Sequence, residues 1–212
     1  MRFHTPRMAN EAGPRLDPPI SAVILAGGQS TRLGRDKALL PVGGQPLVVR
    51  TAQKLAALSD DLIVVANRVA TYEPLRLPAR LLRDERPGEG SLMGIYSGLK
   101  AARFSHALVV ACDMPFLSLP LLRHMATLAD GYDVVIPRLG GKSEPLHAIY
   151  GNACLPAMSR LLDSGGRQII AFFPEVRVRY VEEPEVDVLD PLHLSFLNVN
   201  TPEDWDRVQQ LL

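Results

Sequence analysis

From Ile20 onward, continuous apolar runs alternate with segments whose apolar residues recur at helical spacing. The apolar runs AVILA, DLIVVAN, HALVVACD and YDVVIP are typical of strands buried on both faces, and a shorter extended piece ends at Asp84. Helical segments are predicted to begin near Pro46, Ser91, Ser118, Asn152 and Thr201. In this scheme Pro46 is a first helical residue, and Ser91, Ser118 and Thr201 are caps. The alternation predicts an α/β fold, a Rossmann-like three-layer sandwich with a mostly parallel central sheet.

The segment before Ile20 lacks this pattern. It reads MRFHTPRMANEAGPRLDPP and mixes prolines, charges and small residues, which predicts a mobile tail over residues 1–19 and a single domain over residues 20–212. The 212 residues are 47% hydrophobic, which is enough for one sizeable core. We find no apolar stretch of signal-peptide or membrane-span length, so we expect a cytoplasmic protein with no membrane partner.

Charge and cysteine content narrow the function classes further. The 23 basic and 23 acidic residues cancel, which gives no reason to expect a nucleic-acid partner. Cys112 and Cys154 lie far apart without metal-ligand spacing, and this favours reduced thiols.

The stretch AVILAGGQSTRLGRDK, residues 22–37, carries the first candidate chemistry. Gly27 and Gly28 follow the first strand, and without a Cβ their backbone N–H groups can approach a phosphate chain closely. Arg32 and Lys37 follow and supply two cations. The spacing matches neither a P-loop nor a dinucleotide-binding motif, so an ATPase or a dehydrogenase is not indicated. A turn followed by a solvated basic loop is the alternative interpretation.

Polar residues follow the predicted strands at several points. Asn67, Asp84 and Asp113 each stand just after a strand, as the Gly-Gly loop does. Because parallel strands place ligands at their carboxyl ends, we expect these loops to converge on one crevice. Asp113 ends a wholly apolar strand, and Mg²⁺ is a suitable partner for its carboxylate. The alternative for all three residues is an ordinary turn or cap.

Glycines crowd the segment after Asp84. Gly94 and Gly98 fall inside a predicted helix, where each costs about 1 kcal/mol relative to alanine. Close approach of a ligand or of a packed neighbour explains such a choice.

Several motifs together resemble a known family. LAGGQSTRLGRDKALL is similar to the signature of the nucleotidyltransferases that act on the molybdenum cofactor, and its Gly-Gly form with Asp-Lys is closest to the molybdenum cofactor guanylyltransferases, the MobA-like family. The segments SEPLHAIY, GGRQIIAFF and FLNVNTPEDW also resemble this family, as does Cys-Asp-x-Pro at Cys112 to Pro115. The chain has Gly-Ser-Leu at Gly90 where many relatives have Gly-Pro-Leu. The resemblance spans nearly all of residues 20–212.

This resemblance implies a fold of the nucleotide-diphospho-sugar transferase type and a defined reaction. The enzyme would transfer GMP from GTP to the phosphate of Mo-molybdopterin, forming molybdopterin guanine dinucleotide and pyrophosphate. Mg²⁺ would be the cofactor, with Asp113 as its ligand. Further partners would be molybdoenzyme chaperones or other cofactor-synthesis proteins.

The same resemblance implies a set of site residues. Arg32, Lys37 and Asp113 would be catalytic. The nucleotide would contact Leu25, Ala26, Gly27, Gly28, Lys37, Asn67, Asp84 and Asp113. Asn198, Asn200, Arg167 and His147 would lie on the pterin or metal side, with Arg167 at a predicted helix start as a phosphate contact and His147 in packing or substrate contact. A catalytic base is not required, because a phosphate monoester is already anionic near neutral pH.

Three other functions are compatible with these residues. A cytidylyltransferase for the same pterin, or a pyrophosphorylase acting on a sugar or terpenoid phosphate, would share the loop, Lys37 and Asp113. A non-enzymatic adaptor that delivers the cofactor is the third, although binding alone does not need a metal ligand. The base and the acceptor pockets distinguish these possibilities.

Overall fold

The computed structural model of the protein describes residues 15–26 and 36–212. The loop residues Gly27, Gly28 and Arg32 therefore lie outside the described residues. The strands in the described ranges are β1 Ser21–Leu25, β2 Pro41–Val42, β3 Gln45–Pro46, β4 Leu62–Ala66, β5 Arg80–Arg83, β6 His106–Ala111, β7 Val134–Leu139, β8 Lys142–Ser143, β9 His147–Gly151 and β10 Val178–Glu182. The α-helices are α1 Leu47–Ala56, α2 Ser91–Ala101, α3 Leu119–Thr127, α4 Leu155–Asp163, α5 Glu183–Leu189 and α6 Pro202–Gln210.

The central sheet has the strand order β10-β7-β9-β6-β1-β4-β5, with β8 paired to β7. Strands β6, β1, β4 and β5 are parallel neighbours, and Val23 of β1 stands opposite Ile63 and Val109. Strand β9 runs antiparallel between β6 and β7, and β10 is parallel to β7. The prediction of an α/β fold with a mostly parallel central sheet is confirmed.

Two apolar layers cover the sheet and complete the three-layer sandwich. On one face, Ile24 and Val64 pack in a cluster with residues of α1 and α3. On the other, Val23 and Ile63 pack in a cluster with residues of α2 and α4. Because successive strand residues point to opposite faces, runs that are buried on both sides are apolar throughout, as the sequence pattern indicated.

The glycines of α2 allow this helix to lie close to the sheet. A Cβ built on Gly98 would stand 2.5 Å from Val23 Cγ1 and 3.2 Å from Val65 Cγ2, and one on Gly94 would stand 3.2 Å from Leu25 Cδ2. A packed neighbour therefore explains Gly98.

Three helix starts were predicted from capping residues, and one of these predictions is wrong. Ser118 accepts a hydrogen bond from the Leu121 N–H, and Thr201 accepts one from the Asp204 N–H. Ser91, however, is the first residue of α2, and the cap position belongs to Gly90 at φ 88°. A positive φ suits glycine, so the backbone rather than a side chain defines this start. Pro46 likewise lies one residue before α1, at its cap position.

The packed part of the chain begins earlier than the predicted boundary at Ile20. Leu16 is only 7% exposed and joins the core, and its N–H donates to the Leu58 carbonyl at 3.0 Å. Arg15 stands 3.5 Å from Asp60. A single apolar residue among prolines forms no periodic pattern, so the local sequence does not predict its burial. The burial of Leu16 depends instead on a neighbour distant in the sequence.

Across residues 15–26 and 36–212, the helices are all too short or too polar to cross a membrane.

We expect Gly98→Ala to destabilise the protein. Overpacking against the rigid, β-branched Val23 costs up to about 3 kcal/mol, whereas alanine contributes roughly 1 kcal/mol through helix propensity. Urea denaturation should show a net loss of up to about 2 kcal/mol in the free energy of unfolding. An unchanged or increased free energy of unfolding would show that α2 does not depend on this close contact.

Candidate functional site

A cavity of about 480 Å³ opens at the carboxyl edge of the parallel strands. Its walls come from the ends of β1, β4, β5 and β6, from the segment around Lys37 and from the start of α2. The lining residues are Leu25, Ala26, Asp36, Lys37, Ala38, Val65, Ala66, Asn67, Asp84, Gly88, Gly90, Ser91, Gly94, Ala111, Cys112, Asp113 and Leu146. The predicted convergence of the strand-end residues Asn67, Asp84 and Asp113 is therefore present.

Asp113 lines this cavity just beyond the end of β6. Its side chain is only 18% exposed, and its Oδ2 stands 3.5 Å from Lys37 Nζ. Burial raises the pKa of this carboxyl, and the Lys37 ammonium opposes part of that shift. The Lys37 ammonium therefore compensates the partly desolvated Asp113 carboxylate only in part. A further positive charge beside this carboxylate would be stabilised.

Lys37 reaches Asp113 from a single turn of 3-10 helix, Lys37–Leu39. Asp36 caps this turn, and its Oδ1 accepts a hydrogen bond from the Ala38 N–H at 3.1 Å. Lys37 Nζ also donates to Asn200 Oδ1 at 2.5 Å. The ammonium thus stands between residues that are 76 and 163 positions away in the sequence.

The C-terminal segment positions Asn200 beside this pair. The Val199 N–H donates to the Asp113 carbonyl at 3.0 Å, and Val199 packs with Val42, Leu47 and Val208 in a small third cluster. Trp205 Nε1 also donates to the Pro41 carbonyl. Asn198, predicted to share this location, instead donates from Nδ2 to the Phe196 carbonyl at 3.3 Å and is absent from the cavity lining in the part of the chain that is described.

Asp84 lies at the opposite wall, where it is 8% exposed. Burial raises the pKa of its carboxyl, although Ser97 Oγ donates to Asp84 Oδ1 at 2.9 Å and opposes the shift. Gly94 lies directly beside it, since a Cβ there would stand 3.9 Å from Asp84 Oδ2. Asn67 lines the same end of the cavity after β4. These residues provide polar groups at this end of the cavity.

Four of the predicted site residues in the described part of the chain are not among the lining residues: Asn198, Asn200, Arg167 and His147. Arg167 is exposed, stands 3.7 Å from Glu89 and precedes a 3-10 segment, Ile169–Glu175, rather than an α-helix. His147 is fully buried on β9 with its ring centroid 4.9 Å from that of Phe196. Neither ring nitrogen has a hydrogen-bond partner among the described residues. This position agrees with the packing interpretation of His147.

The sequence did not indicate some residues that the structure brings to the site. Asp36 lines the cavity. Its position in the loop motif, directly before Lys37, could have indicated that it belongs to the site. Leu146 also lines it, within the SEPLHAIY segment. Tyr72 does not line the cavity, but its hydroxyl donates to the lining residues Ala26 and Asp36. No sequence motif indicates this tyrosine.

The donor set around Asp113 fits one Mg²⁺ ion that is mainly held by a substrate. The described residues contain no group of three or more His, Cys, Asp or Glu side chains able to hold a metal. Mg²⁺ commonly uses one or two protein carboxylates and takes its remaining ligands from phosphates and water. Asp113 supplies one carboxylate. The Asn200 amide oxygen is close to it, since both groups contact the same Lys37 ammonium.

The fold and this site together define a nucleotidyltransferase. The chain belongs to the MobA-like NTP transferase domain family, whose model matches residues 22–180. Asn200 lies beyond that match and comes from the C-terminal segment.

Individual relatives are consistent with this family assignment. A protein of Pelotomaculum thermopropionicum named probable molybdenum cofactor guanylyltransferase is 41% identical over 184 residues, which cover 87% of this chain and 89% of the relative. The crystal structure of molybdopterin-guanine dinucleotide biosynthesis protein A from Archaeoglobus fulgidus superimposes with a TM-score of 0.79 at 28% identity, covering 90% and 97% of the two chains. The 2-C-methyl-D-erythritol 4-phosphate cytidylyltransferase of Thermus thermophilus shares the fold, with a TM-score of 0.70 at 20% identity over 91% and 98%.

We expect His147 to make stability depend on pH. Burial lowers its pKa from 6.5 to about 4, so the unfolded state takes up a proton first as the pH falls. Stability is therefore full above about pH 6.5 and decreases toward pH 4, by up to about 3 kcal/mol. Urea denaturation of the wild type and of His147→Leu between pH 5 and 7 measures this contribution. Parallel pH profiles for the two proteins would show that His147 is not the group responsible.

Proposed function

We propose that this protein transfers GMP from GTP to the terminal phosphate of Mo-molybdopterin, forming molybdopterin guanine dinucleotide and pyrophosphate. The observation that carries the proposal is the position of Lys37, which is held between Asp113 and Asn200 where Lys37 and Asp113 line a cavity of about 480 Å³. The names of the relatives supply the acceptor and the nucleotide. The product would then pass to other cofactor-synthesis proteins or to molybdoenzyme chaperones.

The reaction is a displacement at the α-phosphorus of GTP. An oxygen of the pterin phosphate forms the new bond to this phosphorus, while the bond from the phosphorus to the oxygen shared with the β-phosphate breaks and pyrophosphate leaves. The attacking phosphate is already anionic, so positioning and charge neutralisation matter more than proton removal. His147 is enclosed, and its ring nitrogens have no hydrogen-bond partner in the described part of the chain, which is consistent with a reaction that uses no histidine base.

The charged residues have separate roles in this proposal. The Lys37 ammonium neutralises charge on the phosphates of the leaving pyrophosphate, together with Arg32 from the loop outside the described residues. Asp113 would hold Mg²⁺, which supplies charge neutralisation on the phosphate oxygens when bound. Asn200 accepts a hydrogen bond from Lys37 and keeps the ammonium beside Asp113.

The nucleotide occupies the rest of the cavity. The end of β1 at Leu25 and Ala26 leads into Gly27 and Gly28, whose backbone N–H groups meet the phosphates. Asn67 and Asp84 contact the ribose or the base. A pocket that selects guanine needs acceptors for its N1 and N2 donors, and a largely desolvated carboxylate at Asp84 is such an acceptor.

We expect Lys37→Ala and Asp113→Asn to lower kcat by about 10²–10³ while leaving the fold intact, because each removes a charge that stabilises the transition state. Pyrophosphate release with GTP, the pterin and Mg²⁺ measures turnover. Asp130→Asn, which neutralises an exposed aspartate outside the cavity lining, is the matched control and should keep normal turnover. Near-normal turnover by Asp113→Asn at ordinary Mg²⁺ would refute the role of this carboxylate.

We also expect GTP to bind at least about tenfold more tightly than CTP, a difference of about 1.4 kcal/mol. A site built on hydrogen bonds to guanine rejects a base that leaves its buried polar groups unpaired. Isothermal titration with GTP, CTP and ATP measures this preference, and Asp84→Asn, which exchanges one acceptor oxygen for a donor, should narrow it. Equal affinities in the wild type would remove the guanylyl assignment and leave nucleotidyl transfer standing.

A further inference from the structure

Tyr72 is a buried tyrosine next to the cavity wall. It lies between two turns of 3-10 helix that follow β4. Its side chain is 2% exposed and belongs to the core cluster that covers one face of the sheet. The buried hydroxyl nevertheless has two partners. Its Oη stands 2.6 Å from the Ala26 carbonyl oxygen and 2.8 Å from Asp36 Oδ2.

These two partners lie on either side of the glycine-rich stretch. Ala26 directly follows β1, and its own N–H donates to the Val65 carbonyl at 2.9 Å, so its position is set by the sheet. Asp36 directly precedes Lys37. The Tyr72 hydroxyl therefore connects the rigid end of a central strand to the residue that leads into Lys37.

Asp36 transmits this connection through its two carboxylate oxygens. Oδ2 contacts the Tyr72 hydroxyl, while Oδ1 accepts from the Ala38 N–H and caps the single turn that carries Lys37. A phenol has only one proton to donate, which these two acceptors, the carbonyl and the carboxylate, share. Burial and the neighbouring Asp36 raise the pKa of Tyr72, so the hydroxyl keeps that proton.

We propose that Tyr72 is a positioning residue for catalysis, which fixes Asp36 against the end of β1 and thereby places the Lys37 ammonium beside Asp113. Tyr72 itself is not part of the cavity lining, so it acts through Asp36 and Lys37. Displacement of a charged group by about 1 Å can lower a rate by about 10². The proposal rests on the function proposed above for the same site.

The test removes only the hydroxyl, in Tyr72→Phe, so that the ring still fills its place in the core. We expect kcat/KM for GTP to fall about tenfold or more, mainly through kcat, with the KM for the pterin unchanged. Ser59→Ala is the matched control, because the Ser59 hydroxyl is also buried and donates to the Ile20 carbonyl at 2.6 Å, at the opposite edge of the sheet. Equal kinetic effects of the two substitutions would overturn the proposal.

A double-mutant cycle separates positioning from general destabilisation. If Tyr72 acts through Lys37, adding Tyr72→Phe to Lys37→Ala should reduce the residual turnover by less than twofold. A tenfold further loss would mean that Tyr72 acts independently of Lys37, and the proposal would be wrong.

Hydrogen exchange gives a readout that does not depend on the reaction. In Tyr72→Phe, amide exchange in residues 36–40 should accelerate, while Ser59→Ala should leave it at the wild-type rate. Unchanged exchange in Tyr72→Phe would overturn the proposal. If wild-type protein shows no turnover with GTP and the pterin, the proposed function fails, and accelerated exchange would still show that Tyr72 holds this segment.

Discussion

A carboxylate at the end of a buried strand needs a compensating charge, and Lys37 supplies part of it to Asp113 across 3.5 Å. Much of the surrounding structure serves to bring the two groups together. Strand β6 carries Asp113 to the carboxyl edge, and a capped single turn presents Lys37 to it. The C-terminal segment then binds both, through the Val199 N–H on the Asp113 backbone and through Asn200 on the ammonium. The site therefore needs the two ends of the chain to be folded together.

Buried aspartates at the two edges of the sheet have pKa values that are shifted in opposite directions. At the amino edge, burial alone would raise the pKa of Asp61, but Ser21 Oγ at 2.6 Å and Arg80 at 2.7 Å help to lower it. At the carboxyl edge, burial raises the pKa values of Asp84 and Asp113, and their few partners do not reverse the shift. A carboxylate whose hydrogen bonds are satisfied by the protein is structural. One left short of compensation can bind a cation or a donor from a substrate.

The central strands could be predicted because their burial on both faces leaves a continuous apolar run. Strand β9 and strand β10 lacked that signal. Tyr180 and Arg179 of β10 lie in a strand that is only partly buried, and β9 inserts antiparallel between β6 and β7 through long-range pairing. The start of α2 was also missed, because Gly90 adopts a positive φ that spacing alone does not reveal. Local patterns thus identify strands that carry a long unbroken apolar run. Strand β9 is buried along its whole length but has His147 and Gly151 at its ends, so its pairing partners decide it.

By itself, the sequence determined the α/β class, the edge of the sheet that carries the site and the family, because these follow from local runs and from motifs at strand ends. It also identified Lys37, Asn67, Asp84 and Asp113 as residues that the fold gathers around one cavity. Only the tertiary structure decided that His147 is enclosed, that Arg167 pairs with Glu89 and that Tyr72 joins Ala26 to Asp36. Those outcomes depend on contacts between residues far apart in the chain, and the energy of such a contact has no local signature in the sequence.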